Sequence, residues 1–185
     1  MYIIQGSSRE NGNTEQLTAI LTKGIQVESV NLRDKKILQI VDGRHAESGF
    51  MPVEDDMASI IDAMLKHDTL VFATPLYWYG MSGHMKTFID RWSQCLRDEA
   101  LQFKERMQGK KVYVVIVGGP KAKMTGLPLV QQFQHICSFM GMSLEGWIIG
   151  RGSKPGDVLL DQETIAQAKE WNRAWSEEAK YLSVR

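Results

Sequence analysis

The sequence predicts one α/β domain over residues 1–185, built on a five-stranded parallel sheet with helices on both faces. Three observations predict it. Short apolar runs alternate with helical patterns along the chain. The runs at 69–74 and 112–117 are continuously apolar or β-branched, as strands covered on both faces must be. Three of the runs break into loops of glycine, small polar or aromatic residues, at 6–14, 75–83 and 118–126.

Tyr2–Gln5 reads as the first strand. Residues 13–24 read as a helix, with Leu17, Ile20 and Leu21 on one face and Gly24 near its end. A second strand follows at 27–32. Residues 33–51 are less regular, with a short apolar run at 37–41 and then a polar, glycine-containing stretch. Residues 54–67 carry the helical stripe Met57, Ile60, Ile61 and Met64, and the adjacent Asp55-Asp56 pair suits a helix start. The third strand, 69–74, stops at Pro75, and 83–96 reads as the third helix. Residues 101–109 read as a helix end and connector. The fourth strand, 112–117, ends at Gly118-Gly119-Pro120. A helix at 126–140 stops at Gly141, a last strand occupies 144–149, and a charged helix fills 161–182. No repeat, low-complexity stretch or linker divides the sequence. For five such strands the flavodoxin-like order 2-1-3-4-5 is the natural one. Ligands then bind at the carboxyl ends of the strands, where strand order reverses, and that rule selects the same three loops.

Composition narrows the function. A chain of 185 residues suits one domain with a sizeable core. Lys+Arg and Asp+Glu both count 22, so the net charge is zero, which argues against a nucleic-acid binder. No charged-then-apolar leader is visible, and no apolar run approaches the roughly 18 residues of a membrane helix. Cys95 and Cys137 are far apart and outside any CxxC. They read as free thiols of a reducing compartment, so the expected location is cytoplasmic, with no membrane or nucleic-acid partner.

The first loop, Gly6-Ser7-Ser8-Arg9-Glu10-Asn11-Gly12-Asn13-Thr14, joins a strand to a helix start. Such a junction gathers backbone N–H groups beside a helix N-terminus and favours an anion. Ser7, Ser8, Asn13 and Thr14 add donors, and Arg9 adds charge. The loop lacks the lysine of a triphosphate loop and the Gly-x-Gly-x-x-Gly of a dinucleotide fingerprint. Hydroxyls and amides suit one terminal monophosphate. The alternative is that Asn13 and Thr14 simply cap a helix.

The second loop, Pro75-Leu76-Tyr77-Trp78-Tyr79-Gly80, has three consecutive aromatic residues, which cannot all enter a core. A planar heterocycle needs flat apolar partners and backbone amides at its edge. Gly118 and Gly119 leave room for a ring edge in the third loop. A monophosphate at one end and a flat ring at the other describe flavin mononucleotide, FMN. The aromatic loop also suits a subunit interface, and both uses can hold together.

These motifs resemble the NAD(P)H-dependent FMN reductase family of flavodoxin-like proteins, through residues 6–14, Asp55-Asp56-Met57, 75–83 and Met85-Lys86-Thr87-Phe88-Ile89-Asp90-Arg91. The likeness is strongest up to about residue 120. It implies an oxidoreductase that passes electrons from NAD(P)H through bound FMN to a small acceptor such as a quinone or a flavin. It places the FMN phosphate on Ser7, Arg9, Asn13 and Thr14, with Ser8 close by. It places the ring on Pro75, Leu76, Tyr77, Trp78, Tyr79 and Gly80, with Gly118 and Gly119 at the pyrimidine side. With the aromatic loop it also implies a homodimer or homotetramer. Many relatives carry cysteines in the segment matching 42–51, some holding an iron–sulfur cluster. None stands here, so no cluster is expected. The four histidines share no ligand spacing, and no metal is expected.

Several residues have weaker claims. His84 follows the aromatic loop and is either a wall of the substrate pocket or a solvated helix-start residue. Met81 and Met124 are candidate ring neighbours. Trp171 and Trp175 have i,i+4 spacing and suit packing of the last helix onto the body or a partner subunit. No side chain is singled out as an acid or base, because the cofactor carries the chemistry. The rival readings are a non-enzymatic electron carrier and a flavin-bound sensor. Carriers of this fold tend to be acidic, whereas this chain is neutral.

Overall fold

Ile3 and Ile4 are neighbours in the first strand yet belong to different cores. Successive strand residues point to opposite faces, so a sheet covered on both sides needs two apolar layers. The computed structural model describes residues 1–183 and meets that need throughout; the last two residues of the expected domain lie outside it. The strands are β1 (Tyr2–Gln5), β2 (Glu28–Asn31), β3 (Thr69–Pro75), β4 (Lys111–Gly118) and β5 (Ser143–Arg151). They run parallel in the order β2-β1-β3-β4-β5, as the sequence predicts. This is the flavodoxin-like arrangement.

The helices are α1 (Asn13–Leu21), α2 (Met57–Leu65), α3 (Gly83–Asp90), α4 (Trp92–Cys95), α5 (Phe103–Met107), α6 (Ala122–Thr125), α7 (Leu127–Met140) and α8 (Gln162–Ser183). Leu17 and Leu21 of α1, with Ile165 and Trp175 of α8, pack on Ile3, Val71 and Val115. On the opposite face Met64, Phe88, Trp92, Phe103 and Phe133, from α2 through α7, pack on Ile4, Phe72 and Val114. Burying each large side chain contributes about 1.5–3 kcal/mol. Trp171 and Trp175 both meet the Tyr113 ring, at 5.1 and 4.9 Å between centroids. The pair therefore packs the last helix on the chain's own body. A bulge sets Tyr113 opposite Gly146, and a Cβ there would lie 2.8 Å from the Trp171 ring.

Two expected helices are shorter, and one ion pair, Arg91–Asp55, lies at the start of the first and at the break in the second. The Asp55-Asp56 pair is not a simple helix cap. Asp55 does accept from the Met57 amide at 3.1 Å, but its carboxylate also accepts from the Leu38 amide at 3.0 Å and from Arg91 Nη1 at 2.5 Å. Asp56 accepts from the Lys36 amide at 2.8 Å. Both carboxylates thus hold the 36–38 segment, which joins no strand, and α2 begins at Met57. Arg91 is drawn inward to this pair and to the Leu38 carbonyl, and the helix expected over 83–96 breaks there into α3 and α4.

Candidate functional site

The carboxyl ends of β1 and β3 hold the first loop from below. The Gly6 amide donates to the Ala73 carbonyl at 2.7 Å, and the Ser82 hydroxyl donates to the Gly6 carbonyl at 2.6 Å. Ser82 also caps α3, accepting from the Met85 amide at 3.2 Å. A Cβ on Gly6 would lie 3.0 Å from both Ser82 Oγ and Met85 Cβ, so only glycine fits without displacement. From outside, Glu15 grips the loop, accepting from the Asn11 amide at 2.7 Å and pairing with Arg33. Arg33 in turn donates to the Arg9 carbonyl at 3.1 Å.

The loop delivers the start of α1 as a buried, uncapped N-terminus. Gly12 occupies the cap position and has no side chain to offer; a Cβ there would lie 3.0 Å from Ser7 Oγ. Asn13 and Thr14 follow, 8% and 2% exposed. Asn13 is not a cap. Its Oδ1 accepts from the Val158 amide at 3.2 Å, and its Nδ2 donates to the Lys154 carbonyl at 2.8 Å. A buried helix start without a side-chain cap leaves N–H donors for a ligand.

These amides open on a cavity of about 230 Å³. Ser7, Arg9, Asn13 and Thr14 line it with Pro75, Leu76, Tyr77, Gly118 and Gly119. Residues expected on all three loops therefore meet at one place. Ser8 stands beside it, its hydroxyl 3.3 Å from that of Tyr77. Trp78, Tyr79 and Gly80 are not in its wall. The room expected over Gly118 is filled by Leu76, since a Cβ there would lie 2.9 Å from Leu76 Cβ. Gly119 is open, its first neighbour being Ser153 Oγ at 3.9 Å.

The aromatic residues form a two-residue hairpin turn. Tyr77 and Gly80 exchange both backbone hydrogen bonds at 3.0 Å, and Trp78 and Tyr79 span the turn with φ of +48° and +65°. Two positive φ angles define a type I′ turn, which usually carries Asn-Gly because bulky side chains are strained there. The strained tip leaves Trp78 96% exposed. Met81 instead turns into the core with Met85, and Met124 is exposed.

Sequence reasoning missed a fourth loop. Gly152 and Ser153 line the same cavity, and Arg9 Nη1 donates to the Ser153 carbonyl at 3.2 Å. A Cβ on Gly152 would lie 2.8 Å from Asn13 Nδ2 and 2.9 Å from the Val158 amide. The signal was the run Gly152-Ser153-Lys154-Pro155-Gly156 just past the fifth strand, where the carboxyl-end rule applies equally. Asp157 stiffens this loop by accepting from the Ser153 and Lys154 amides at 3.0 and 2.7 Å, and these bonds hold its carboxyl below the ordinary value. A larger cavity of about 620 Å³ lies between residues 43–52 and Arg97. It is away from the strand ends, and its Arg44 is already paired with Asp42 at 2.6 Å. Among the described residues no cluster of His, Cys, Asp or Glu is arranged for a metal. No described helix is long and apolar enough to cross a membrane.

The family model described as NADPH-dependent FMN reductase matches residues 1–149. The chain belongs to this family. FMN and NAD(P)H dependence come with it: the loop chemistry predicts the FMN, and the resemblance implies the NAD(P)H. The YwqN protein of Bacillus subtilis (strain 168), named as a NAD(P)H-dependent FMN-containing oxidoreductase, is 48% identical over 167 residues, covering 90% of this chain and 92% of that one. A solved structure described as the Trp repressor binding protein from Bacillus subtilis is 45% identical with a TM-score of 0.79, covering 92% of this chain and 98% of the other. Iron-sulfur flavoprotein MJ1083 of Methanocaldococcus jannaschii is 34% identical over 97% of this chain and 96% of its own length. In the present member of the FMN reductase family, Cys95 and Cys137 are both free and buried. The switch-point cavity fits the phosphate end of FMN: it has orphan amides at a helix start, a glycine cradle, hydroxyls and one arginine. Among the described residues Arg9 has no carboxylate partner that would compete.

Proposed function

We propose that the protein is an FMN-containing oxidoreductase that takes electrons from NAD(P)H and passes them to a small electrophile such as a quinone or a free flavin. The observation that carries this reading is the buried, uncapped start of α1 opening on the cavity shared with the aromatic turn. In this reading Ser7, the first-turn amides at Asn13 and Thr14, and Arg9 hold the phosphate, with Ser8 beside them. Asn13 acts through its backbone, because its side chain is committed to the 154–158 turn. Pro75, Leu76, Tyr77, Trp78, Tyr79 and Gly80 flank the ring, and Gly119, more than the covered Gly118, faces its edge. When bound, FMN supplies a ring that accepts a hydride from NAD(P)H and returns two electrons to the acceptor.

The chain's own residues bind and orient. Leu76, held by its amide to the Val117 carbonyl at 2.8 Å, supplies a fixed apolar surface beside Gly118. In this reading the hairpin turn, whose Tyr77 lines the cavity, brings Trp78 and Tyr79 to the ring, where flat partners limit water at the reacting face. Backbone N–H groups near the ring edge favour the charge it gains on reduction. Trp78, at 96% exposure, is unlike an ordinary surface residue of a monomer. We place a second copy of the chain over it, making a homodimer or a tetramer. The two free thiols fit the reducing cytoplasm.

The test is an absorbance spectrum of purified protein incubated with FMN and desalted, before and after anaerobic addition of NADPH or NADH. Retained flavin absorbance that bleaches with either nucleotide, and returns on adding a quinone, supports the reading. A colourless protein refutes it. Retained flavin that neither nucleotide reduces leaves the sensor or carrier in its place.

A further inference from the structure

A second cavity, of about 420 Å³, shares Tyr77 with the first. Ser8 also lines it, so the Ser8–Tyr77 contact at 3.3 Å stands where the two cavities adjoin. One side comes from the segment after β2, which contributes Lys35 and Gln39. The other is the first two turns of α3, which contribute Gly83, His84 and Thr87. Lys35 and His84 are its basic groups, and no carboxylate lines it. Among the described residues neither is in an ion pair, and the nearby Asp34 is engaged with Arg33 at 3.4 Å. A Cβ on Gly83 would meet nothing within 4 Å, so the start of α3 is open to a ligand.

In a chain of zero net charge, an acid-free pocket that holds the unpaired Lys35 ammonium, with the His84 ring as a further hydrogen-bonding group, is a local positive site. It shares Tyr77 with the cavity proposed for the flavin. The substrate that must reach that ring is a dinucleotide with phosphates some distance from its reactive end. The first cavity's arginine is taken up by the flavin phosphate, so the donor's phosphates need cations of their own.

We propose that this second cavity binds a phosphate of the pyridine dinucleotide, with Lys35 and His84 as ligands, and thereby sets donor affinity. The inference rests on the NAD(P)H-dependent reading above. Either the diphosphate bridge or the 2′-phosphate of NADPH supplies the group; the chemistry recognised is the same.

The test is calorimetric titration of NADP⁺ and of NAD⁺ into FMN-loaded wild type, Lys35→Gln and His84→Gln. Both side chains are exposed, so neither change removes core packing, and the flavin spectrum checks the fold. Losing one charge-assisted contact is expected to weaken binding about tenfold. A threefold or greater loss with NADP⁺ alone assigns the 2′-phosphate, and a like loss with both nucleotides assigns the diphosphate bridge. Affinities within threefold of wild type for both variants overturn the proposal. A wild type that retains FMN but binds neither nucleotide overturns it together with the donor reading. A wild type that takes up no FMN overturns the parent reading itself.

Discussion

Asn13 accepts a 3.2 Å hydrogen bond from the Val158 amide, tying the start of α1 to a turn 145 positions later in the chain. With the bond from its Nδ2 to the Lys154 carbonyl, this makes the Asn13 side chain the clamp between the first and fourth loops of the site. Its position also explains why Gly152 has no side chain: a Cβ would strike the same amide group at 2.8 Å.

Asn13→Ala strands a buried N–H and a carbonyl on the 154–158 turn. The expected cost is about 1–3 kcal/mol of stability, with a loss of FMN affinity of about tenfold or more as the fourth loop loosens. Urea unfolding and fluorescence titration with FMN check the two effects. Unchanged values in both would remove the clamp.

Gly152→Ala attacks the same junction from the other side. The added methyl group must displace the Asn13 amide or the Val158 backbone, and overpacking of this kind costs about 1–3 kcal/mol. Combined with Asn13→Ala it should cost less than the two changes added together, because one of its two clash partners is gone. A double-mutant cycle on the urea midpoints measures this; additive losses contradict it.

Trp78 and Tyr79 both sit at positive φ in a type I′ turn. Left-handed backbone costs an ordinary residue about 1–2 kcal/mol. Replacing the pair through Trp78→Asn with Tyr79→Gly should therefore raise stability by about that amount or more while weakening ring binding, a trade of stability for function. Thermal unfolding of the apoprotein together with FMN titration tests both halves. A double variant less stable than wild type would mean that the aromatic side chains, not the backbone, dominate at the turn.

The Arg91–Asp55 pair is 3% and 1% exposed. Burial pushes the Asp55 carboxyl up, but Arg91 and the Leu38 and Met57 amides outweigh it and hold it below the ordinary carboxylate value. A depressed folded pKa contributes stability above the unfolded value of about 3.9, and that stability is lost as pH falls through the folded pKa. Asp55→Asn leaves a buried guanidinium without its charge partner and should cost about 3–5 kcal/mol at neutral pH. The gap to wild type should narrow as pH drops below about 4, read from urea unfolding across pH. A gap that stays constant with pH would dissociate the carboxyl's ionisation from stability.

By itself the sequence determined the five strands, their order and the convergence of three loops at one sheet edge. Those features are written in local pattern: buried parallel strands read as unbroken apolar runs, and loops at their carboxyl ends read as glycine and polar breaks. It also carried the expectation of an anion at Ser7, Arg9 and the α1 start, residues that line one cavity. Tertiary structure alone decided what the dual-purpose residues do. Asn13 is as good a cap as it is a clamp, and only the arrival of Val158 and Lys154 chooses between them. Asp55 reads as a helix start until Arg91 reaches it from 36 positions away. Met81 follows the aromatic loop in sequence but turns into the core. The fourth loop and the meeting of Lys35 and His84 in one cavity were likewise decided in space, because each joins residues from separate crossovers that no local period connects. Polar side chains have several partners of similar strength, and the one realised depends on which distant backbone group the packed sheet brings within 3 Å or so.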